Sequence, residues 1–217
     1  MHTISARRWI TISSMITEKY VNFIWDFDGT LFDSYPHSAA AMEKALSGRA
    51  DKPSFETIIA LQRISMGVAY ERFKLSEEEM QDFRRYERDD SFAPTVKPYP
   101  GALDALERIH ARGGRHFMFT HRDGKASAFL KAFGVEDLFE CVVTAEDGFA
   151  WKPSPEAIEH IIEKYSLDKS KTVMIGDRAI DIGSGLNAGV HTLMFDEFMS
   201  GEAGGAEEIF TSFSQLD

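Results

Sequence analysis

The sequence predicts an α/β protein built on a parallel sheet, with a block of helices inserted after the first strand. Three observations carry this. Five short runs, at 21–25, 116–120, 141–144, 172–176 and 191–195, are almost wholly apolar or β-branched, the pattern of strands covered on both faces. Helical stretches alternate with the later runs, and alternation of strand and helix means a parallel α/β sheet. The spacing is uneven: roughly 90 residues separate the first two strands, whereas the later ones follow at about 20 to 30.

Taken in order, residues 1–14 precede the first strand without core periodicity and read as a dispensable leader, with Met15 a possible natural start. The first strand follows. The long interval after it reads as helices at 37–47, 54–66 and 76–90, with no convincing strand between 36 and 98. Ser76 with Glu79 three residues on is a capping-box signature. Pro94, Pro98, Pro100 and Gly101 mark a sharp exit. Four further helices are expected at about 101–112, 123–133, 154–165 and 178–188, each followed by a strand or lying between strands. Residues 199–206 read as a loop before a short C-terminal segment. The expected organisation is therefore a core of 15–35 and 99–217 with an inserted domain of 36–98.

The chain has 217 residues, 43% of them hydrophobic and 12% aromatic, enough to bury a sizeable core, which excludes a wholly disordered protein. Thirty-five acidic against 24 basic residues give a net charge of −11, which argues against a nucleic-acid partner. The single cysteine, Cys141, excludes an internal disulfide and argues against a Cys-based zinc site. No apolar run approaches the ~18 residues of a membrane span. After Arg7 and Arg8 the apolar stretch is broken by Thr11, Ser13 and Ser14, unlike a signal peptide. The expectation is a cytoplasmic protein, monomeric or a weak homodimer, with no membrane partner.

Four signals carry chemistry. Asp26-Phe27-Asp28-Gly29-Thr30-Leu31-Phe32-Asp33 follows the first strand, and in open α/β sheets sites form beyond the carboxyl ends of strands. Two carboxylates two residues apart beside a buried strand are costly unless a cation neutralises them, although Asp-Gly also makes ordinary turns. Thr120 ends the second strand and offers a hydroxyl; its ordinary reading is a helix cap. His121 beside it is a phosphate-binding candidate whose ordinary reading is a surface loop histidine. Lys152 stands just before Pro153-Ser154-Pro155, a helix start where an ammonium meets a phosphate, although a lone lysine usually decorates the surface. Gly176-Asp177-Arg178-Ala179-Ile180-Asp181 follows the fourth strand, and a helix from about Arg178 puts Asp181 in its first turn, where an acid also suits the dipole. Together they assemble four carboxylates, a hydroxyl and a lysine, and hard oxygen ligands of this kind suit Mg²⁺.

The set DFDGTLFD, Thr120, Lys152 and GDRAID resembles the haloacid dehalogenase superfamily of aspartate-nucleophile phosphohydrolases, over about residues 21–196. It is most similar to the branch with a helical cap after the first strand, which includes phosphoglycolate phosphatases and β-phosphoglucomutases. The resemblance implies a Rossmann-like five-stranded sheet in the order fifth, fourth, first, second, third, and makes 36–98 the cap. It implies Asp26 as nucleophile and Asp28 as the acid and base. Mg²⁺ is then held by Asp26, the backbone carbonyl of Asp28 and Asp177, with Asp181 supporting its water shell and orienting Lys152. Thr120 and Lys152 take the phosphoryl oxygens. Arg178 departs from the pattern, since many relatives have a small polar residue there.

Asp28 separates the reactions of that superfamily. Dehalogenases and phosphonate-cleaving members lack it, so its presence points to phosphate esters of a small metabolite. No feature of 36–98 demands the water exclusion of a phosphomutase, so a phosphatase is favoured, with a mutase of the β-phosphoglucomutase type as the alternative. A receiver-type phosphoacceptor is about half this length and lacks the cap; a non-catalytic binding protein fits poorly with complete motifs.

Overall fold

The computed structural model describes residues 19–88, 96–198 and 203–216. The 1–14 leader, the Met15 start and the end of the helix expected to reach residue 90 lie outside them. In chain order the strands are β1 (Asn22–Trp25), β2 (Phe32–Asp33), β3 (Lys97–Pro98), β4 (Arg115–Phe119), β5 (Phe139–Val143), β6 (Thr172–Gly176), β7 (His191–Phe195) and β8 (Glu208–Phe210). The helices are α1 (Tyr35–Ala45), α2 (Phe55–Ile64), α3 (Met66–Phe73), α4 (Glu77–Glu87), α5 (Ala102–Ala111), α6 (Lys125–Ala132), α7 (Glu156–Tyr165) and α8 (Ala179–Ala188).

The sheet runs β5-β4-β1-β6-β7-β8, with every neighbouring pair parallel. The five expected strands stand in the expected order, and β8 adds a sixth beside β7. Its three residues follow a Gly-rich loop and give too short a signal to read as a strand, but Phe210 is fully buried and packs with Phe195 and Phe213.

The pleat divides the core in two. Phe23 and Trp25 of β1 face a cluster that includes Leu106 and Ile109 of α5 and Leu130 of α6. Ile24, between them, faces Ile158 and Ile161 of α7. One polar network crosses the first layer. Trp25 Nε1 lies 3.0 Å from His116 Nδ1, and His116 Nε2 lies 3.0 Å from the Leu106 carbonyl. The indole only donates, so Nδ1 accepts and Nε2–H donates to Leu106. Burial drives the His116 pKa down to about 4, so the ring is neutral.

Between β1 and β4 the chain departs from expectation twice. The helix expected over 54–66 ends at Ile64, and a further helix, α3, begins at Met66. Ser65 is the reason: extended at φ −171°, it donates its N–H to the Leu61 carbonyl while its hydroxyl accepts from Val68 N–H at 3.0 Å. It therefore closes one helix and caps the next. The interval also contains a strand, since β3 pairs antiparallel with β2, Phe32 opposite Pro98. This ribbon joins the segments leading into and out of the helices just beyond β1. α1 to α4 bury their own apolar cluster, which includes Met42, Leu46, Ile58 and Phe83.

Candidate active site

β1, β4 and β6 lie side by side, so the residues just past their ends share one edge of the sheet. Asp26 continues β1 by donating its N–H to the Ile175 carbonyl of β6, at 2.9 Å. Thr120 continues β4, its N–H on the Val143 carbonyl at 2.9 Å. Asp177 follows β6, and Asp181 sits in the first turn of α8. Lys152 reaches the same edge from the loop before α7. Two glycines make the approach possible. Gly29 has φ +80°, and a Cβ there would overlap the Asp177 carboxylate and the Tyr35 ring; a Cβ on Gly176 would overlap Asp181.

Lys152 Nζ lies 2.6 Å from Asp26 Oδ1 and 2.8 Å from Asp181 Oδ1, with all three side chains at most 2% exposed. Its ammonium also lies 4.7 Å from the Phe119 ring centroid. Asp181 Oδ2 accepts the Arg178 N–H at 3.0 Å. Asp177 accepts from the Thr30 hydroxyl at 3.2 Å and from the Tyr35 hydroxyl at 2.5 Å. Asp26 Oδ2 is buried without a partner.

Charge follows from this geometry. Burial raises the Asp26 carboxyl to about 7, with Lys152 opposing and Asp181 reinforcing the rise. Burial likewise raises Asp177 to about 6, with Arg178 opposing. For Asp181 burial also acts upward, but Lys152 and Arg178 outweigh it and hold the carboxyl below its usual value. Burial would lower Lys152, and Asp181 and Asp26 more than offset it, so the ammonium stays charged. Asp26, Asp177 and Asp181 each offer an oxygen, and these atoms lie within 4.8 Å of one another.

The other expected residues are placed as follows. The Thr120 hydroxyl accepts the Arg122 N–H at 3.0 Å, which leaves its own proton to donate. His121 Nε2 accepts the Lys152 N–H at 2.9 Å, and its ring lies 4.2 Å from that of Trp151. Burial, then the Lys152 charge, lowers its pKa to about 4, so His121 is neutral and braces the lysine loop. Asp28 is not one of the three clustered acids, and both of its oxygens are gripped by Arg122. Burial acts to raise the Asp28 carboxyl, but Arg122 overrides this and holds it below the usual range.

Sequence reasoning gave no role to Arg122 or Tyr35. Their partners are 94 and 142 residues away in the chain. A tyrosine where the chain leaves the ribbon and an arginine two residues after Thr120 were the available signals.

The edge thus holds a lysine bridging two buried acids, Asp26 past β1 and Asp181 in α8, with Asp177 beside them past β6. The profile of haloacid dehalogenase-like hydrolases matches residues 23–195. The chain is similar to a phosphoglycolate phosphatase of Psychrobacter arcticus, at 30% identity over 188 residues covering 78% of this chain and 80% of that one. It is similar to pyrophosphatase PpaX of Halalkalibacterium halodurans, at 27% over 190 residues covering 82% and 85%. Among solved structures it resembles a hydrolase from Streptococcus pneumoniae TIGR4, with 31% identity, a TM-score of 0.65 and coverage of 85% and 97%. With the profile spanning most of the chain and the strand-end acids in place, this protein belongs to the haloacid dehalogenase-like hydrolase family.

Proposed function

We propose that this chain is a metal-dependent phosphatase that cleaves a small phosphorylated metabolite through an aspartyl-phosphate on Asp26. The observation that carries this reading is the bare Oδ2 of Asp26. Its sister oxygen is held by Lys152, so one oxygen is fixed and the other is free to attack phosphorus. A buried, unpaired carboxylate oxygen is costly in a purely structural residue.

The acidic cluster fits a divalent cation. It brings three carboxylates within reach of one another and raises two carboxyls that a cation would bring back down. Asp26, Asp177 and the backbone carbonyl of Asp28 would hold Mg²⁺. When bound, the ion supplies positive charge between the phosphate and the nucleophile. The Thr120 hydroxyl donates to a phosphoryl oxygen, and Lys152 adds the second cation. Asp181 keeps Lys152 oriented. Asp28, ionised while Arg122 holds it, must leave that pair and take up a proton from solvent; it then gives that proton to the leaving oxygen and takes one from the attacking water.

The names of the relatives bear on the substrate. Phosphoglycolate and pyrophosphate release different products, glycolate and phosphate, but both leaving groups are small anions. We assign this chain a substrate of the same class. Phosphate release from p-nitrophenyl phosphate, phosphoglycolate and pyrophosphate tests the reading. Activity is expected with Mg²⁺, lost in EDTA and restored by Mg²⁺. Asp26→Asn is expected to lose on the order of 10⁴-fold or more. Full turnover in EDTA, or by Asp26→Asn, overturns it.

A further inference from the structure

Arg122 stands at the open end of the site. Its side chain and that of Asp28 are 15% and 29% exposed, against 0–2% for Lys152, Asp26 and Asp181. A phosphoryl group held at the buried end extends its leaving group toward the open end. Arg122 is tied to the buried end too, because its backbone N–H binds the Thr120 hydroxyl. The guanidinium is flanked by the Phe27 and Phe129 rings, 5.1 and 5.5 Å from its carbon, which fixes its plane. Its Nε lies 3.2 Å from both oxygens of Asp28, and Nη2 adds a further bond to Oδ1. The Glu87 carboxyl of α4 also acts on this pair, its Oε1 held by the Ser38 hydroxyl at 3.1 Å.

While Arg122 holds both oxygens, Asp28 cannot reach a leaving oxygen. The guanidinium is drawn off only by another anion, and a planar fork binds carboxylate or phosphate best. Resting on the phosphatase reading above, we propose that Arg122 is a specificity-determining residue that binds the negative charge of the leaving group and thereby releases Asp28. A substrate with an anionic leaving group unlocks its own acid, whereas a neutral one leaves Asp28 clamped.

The test compares phosphoglycolate and pyrophosphate with ethyl phosphate, whose leaving group is neutral. Purified full-length protein with Mg²⁺ is used, and p-nitrophenyl phosphate serves as the general activity check. Wild type is expected to prefer the anionic substrates in kcat/KM by about tenfold or more, the value of one charged hydrogen-bond pair. Arg122→Gln is expected to bring that ratio to near one from both sides, raising KM for the anionic substrates and raising kcat for ethyl phosphate, because Asp28 is no longer clamped. Arg122→Lys, which keeps the charge and loses the fork, is expected to fall between. A preference for phosphoglycolate alone identifies the anion as a carboxylate, and for pyrophosphate alone as a phosphate. Equal losses on charged and neutral substrates, or an unchanged ratio in both variants, overturns the proposal. Should Arg122→Gln fail to fold, as judged by circular dichroism, the ratio in Arg122→Lys decides. Absence of turnover on every substrate, p-nitrophenyl phosphate included, instead counts against the phosphatase reading.

Discussion

The carboxyl edge of the sheet and the inserted helices hold their charges in opposite ways. At the edge, Lys152, Asp26 and Asp181 are sealed from water and fixed by backbone that the sheet itself positions. Among the inserted residues the ion pairs stand nearer water: Arg85 with Asp82 on α4, and the more sheltered Arg49, between α1 and α2, with Glu79. Exposed pairs contribute little to stability, about 0–1 kcal/mol. Buried ones cost desolvation and are kept where geometry matters. On the phosphatase reading proposed above, the sealed edge carries the chemistry and the helices contribute shape and a few charges at the rim, such as Glu87. It follows that substitutions at the edge act on rate, whereas those within the helices act on stability.

The sharpest way to test the first half is Asp28→Asn. The nucleophile remains and the acid is lost. General acid–base help is worth about 10²–10⁴-fold, roughly 3–5 kcal/mol. p-Nitrophenol leaves without a proton and an alkoxide does not. Single-turnover formation of the aspartyl-phosphate is therefore expected to slow much less with p-nitrophenyl phosphate than with an alkyl phosphate. Melting temperature is the control, since Asn removes a charge that Arg122 had balanced. Equal slowing with both substrates sinks the general-acid role of Asp28.

The contrast also explains what the sequence disclosed. Strand ends are legible because β1, β4 and β6 are continuous apolar runs, and an acid just past such a run has only the sheet edge to occupy. Asp26, Thr120, Asp177, Asp181 and Lys152 were therefore placed together from the sequence, and the structure gathers them at that edge. The grip of Arg122 on Asp28 and the Tyr35 contact with Asp177 depend on side-chain direction, which periodicity does not encode. α3 was hidden because Ser65 interrupts an otherwise helical pattern for one residue only. β8 was hidden because its strand character comes from the aromatic cluster it joins, not from its own three residues.

A second way to probe the sealed layers is pH. Both His116, in the core, and His121, at the edge, have pKa values lowered to about 4. An unfolded histidine has its ordinary pKa near 6.5, so between these values the unfolded chain binds a proton that the folded chain refuses. The histidines' contribution is full above about pH 6.5 and is lost as pH drops toward 4, by up to about 3 kcal/mol for His116. Asp26 and Asp177, raised to about 7 and 6, act in the opposite sense over the same range, so the His116 loss is read in urea melts at pH 8, 6 and 4.5 as the difference between wild type and a His116 variant. His116→Gln is expected to be less stable at pH 8, having disturbed the bonds to Trp25 and Leu106, yet to lose less on acidification. Parallel pH slopes for wild type and variant contradict a neutral buried His116.

The smallest expected effect tests the second half of the comparison, at Ser76. Its hydroxyl accepts the Glu79 N–H at 3.2 Å, and Glu79 Oε2 returns a bond from the Ser76 N–H at 2.8 Å, so α4 begins with a complete capping box. Glu79 serves a second purpose, since Arg49 binds it through Nε at 2.6 Å and Nη2 at 2.5 Å while Nη1 reaches the Phe73 carbonyl at 2.7 Å. Arg49 thus ties the start of α4 to the end of α3. Ser76→Ala removes only the hydroxyl half of the box and leaves the Glu79 bonds to Arg49 and to the residue 76 N–H. The loss is expected to be about 1 kcal/mol, a fall in melting temperature of about 2–4 °C for a chain of this size. kcat/KM is expected to stay within about threefold of wild type, because nothing at Ser76 touches the sheet edge. A larger loss of turnover alongside so small a loss of stability would mean that the register of α4 reaches the chemistry. Glu87, at its far end, is then the place to look, because its carboxyl acts on both Asp28 and Arg122.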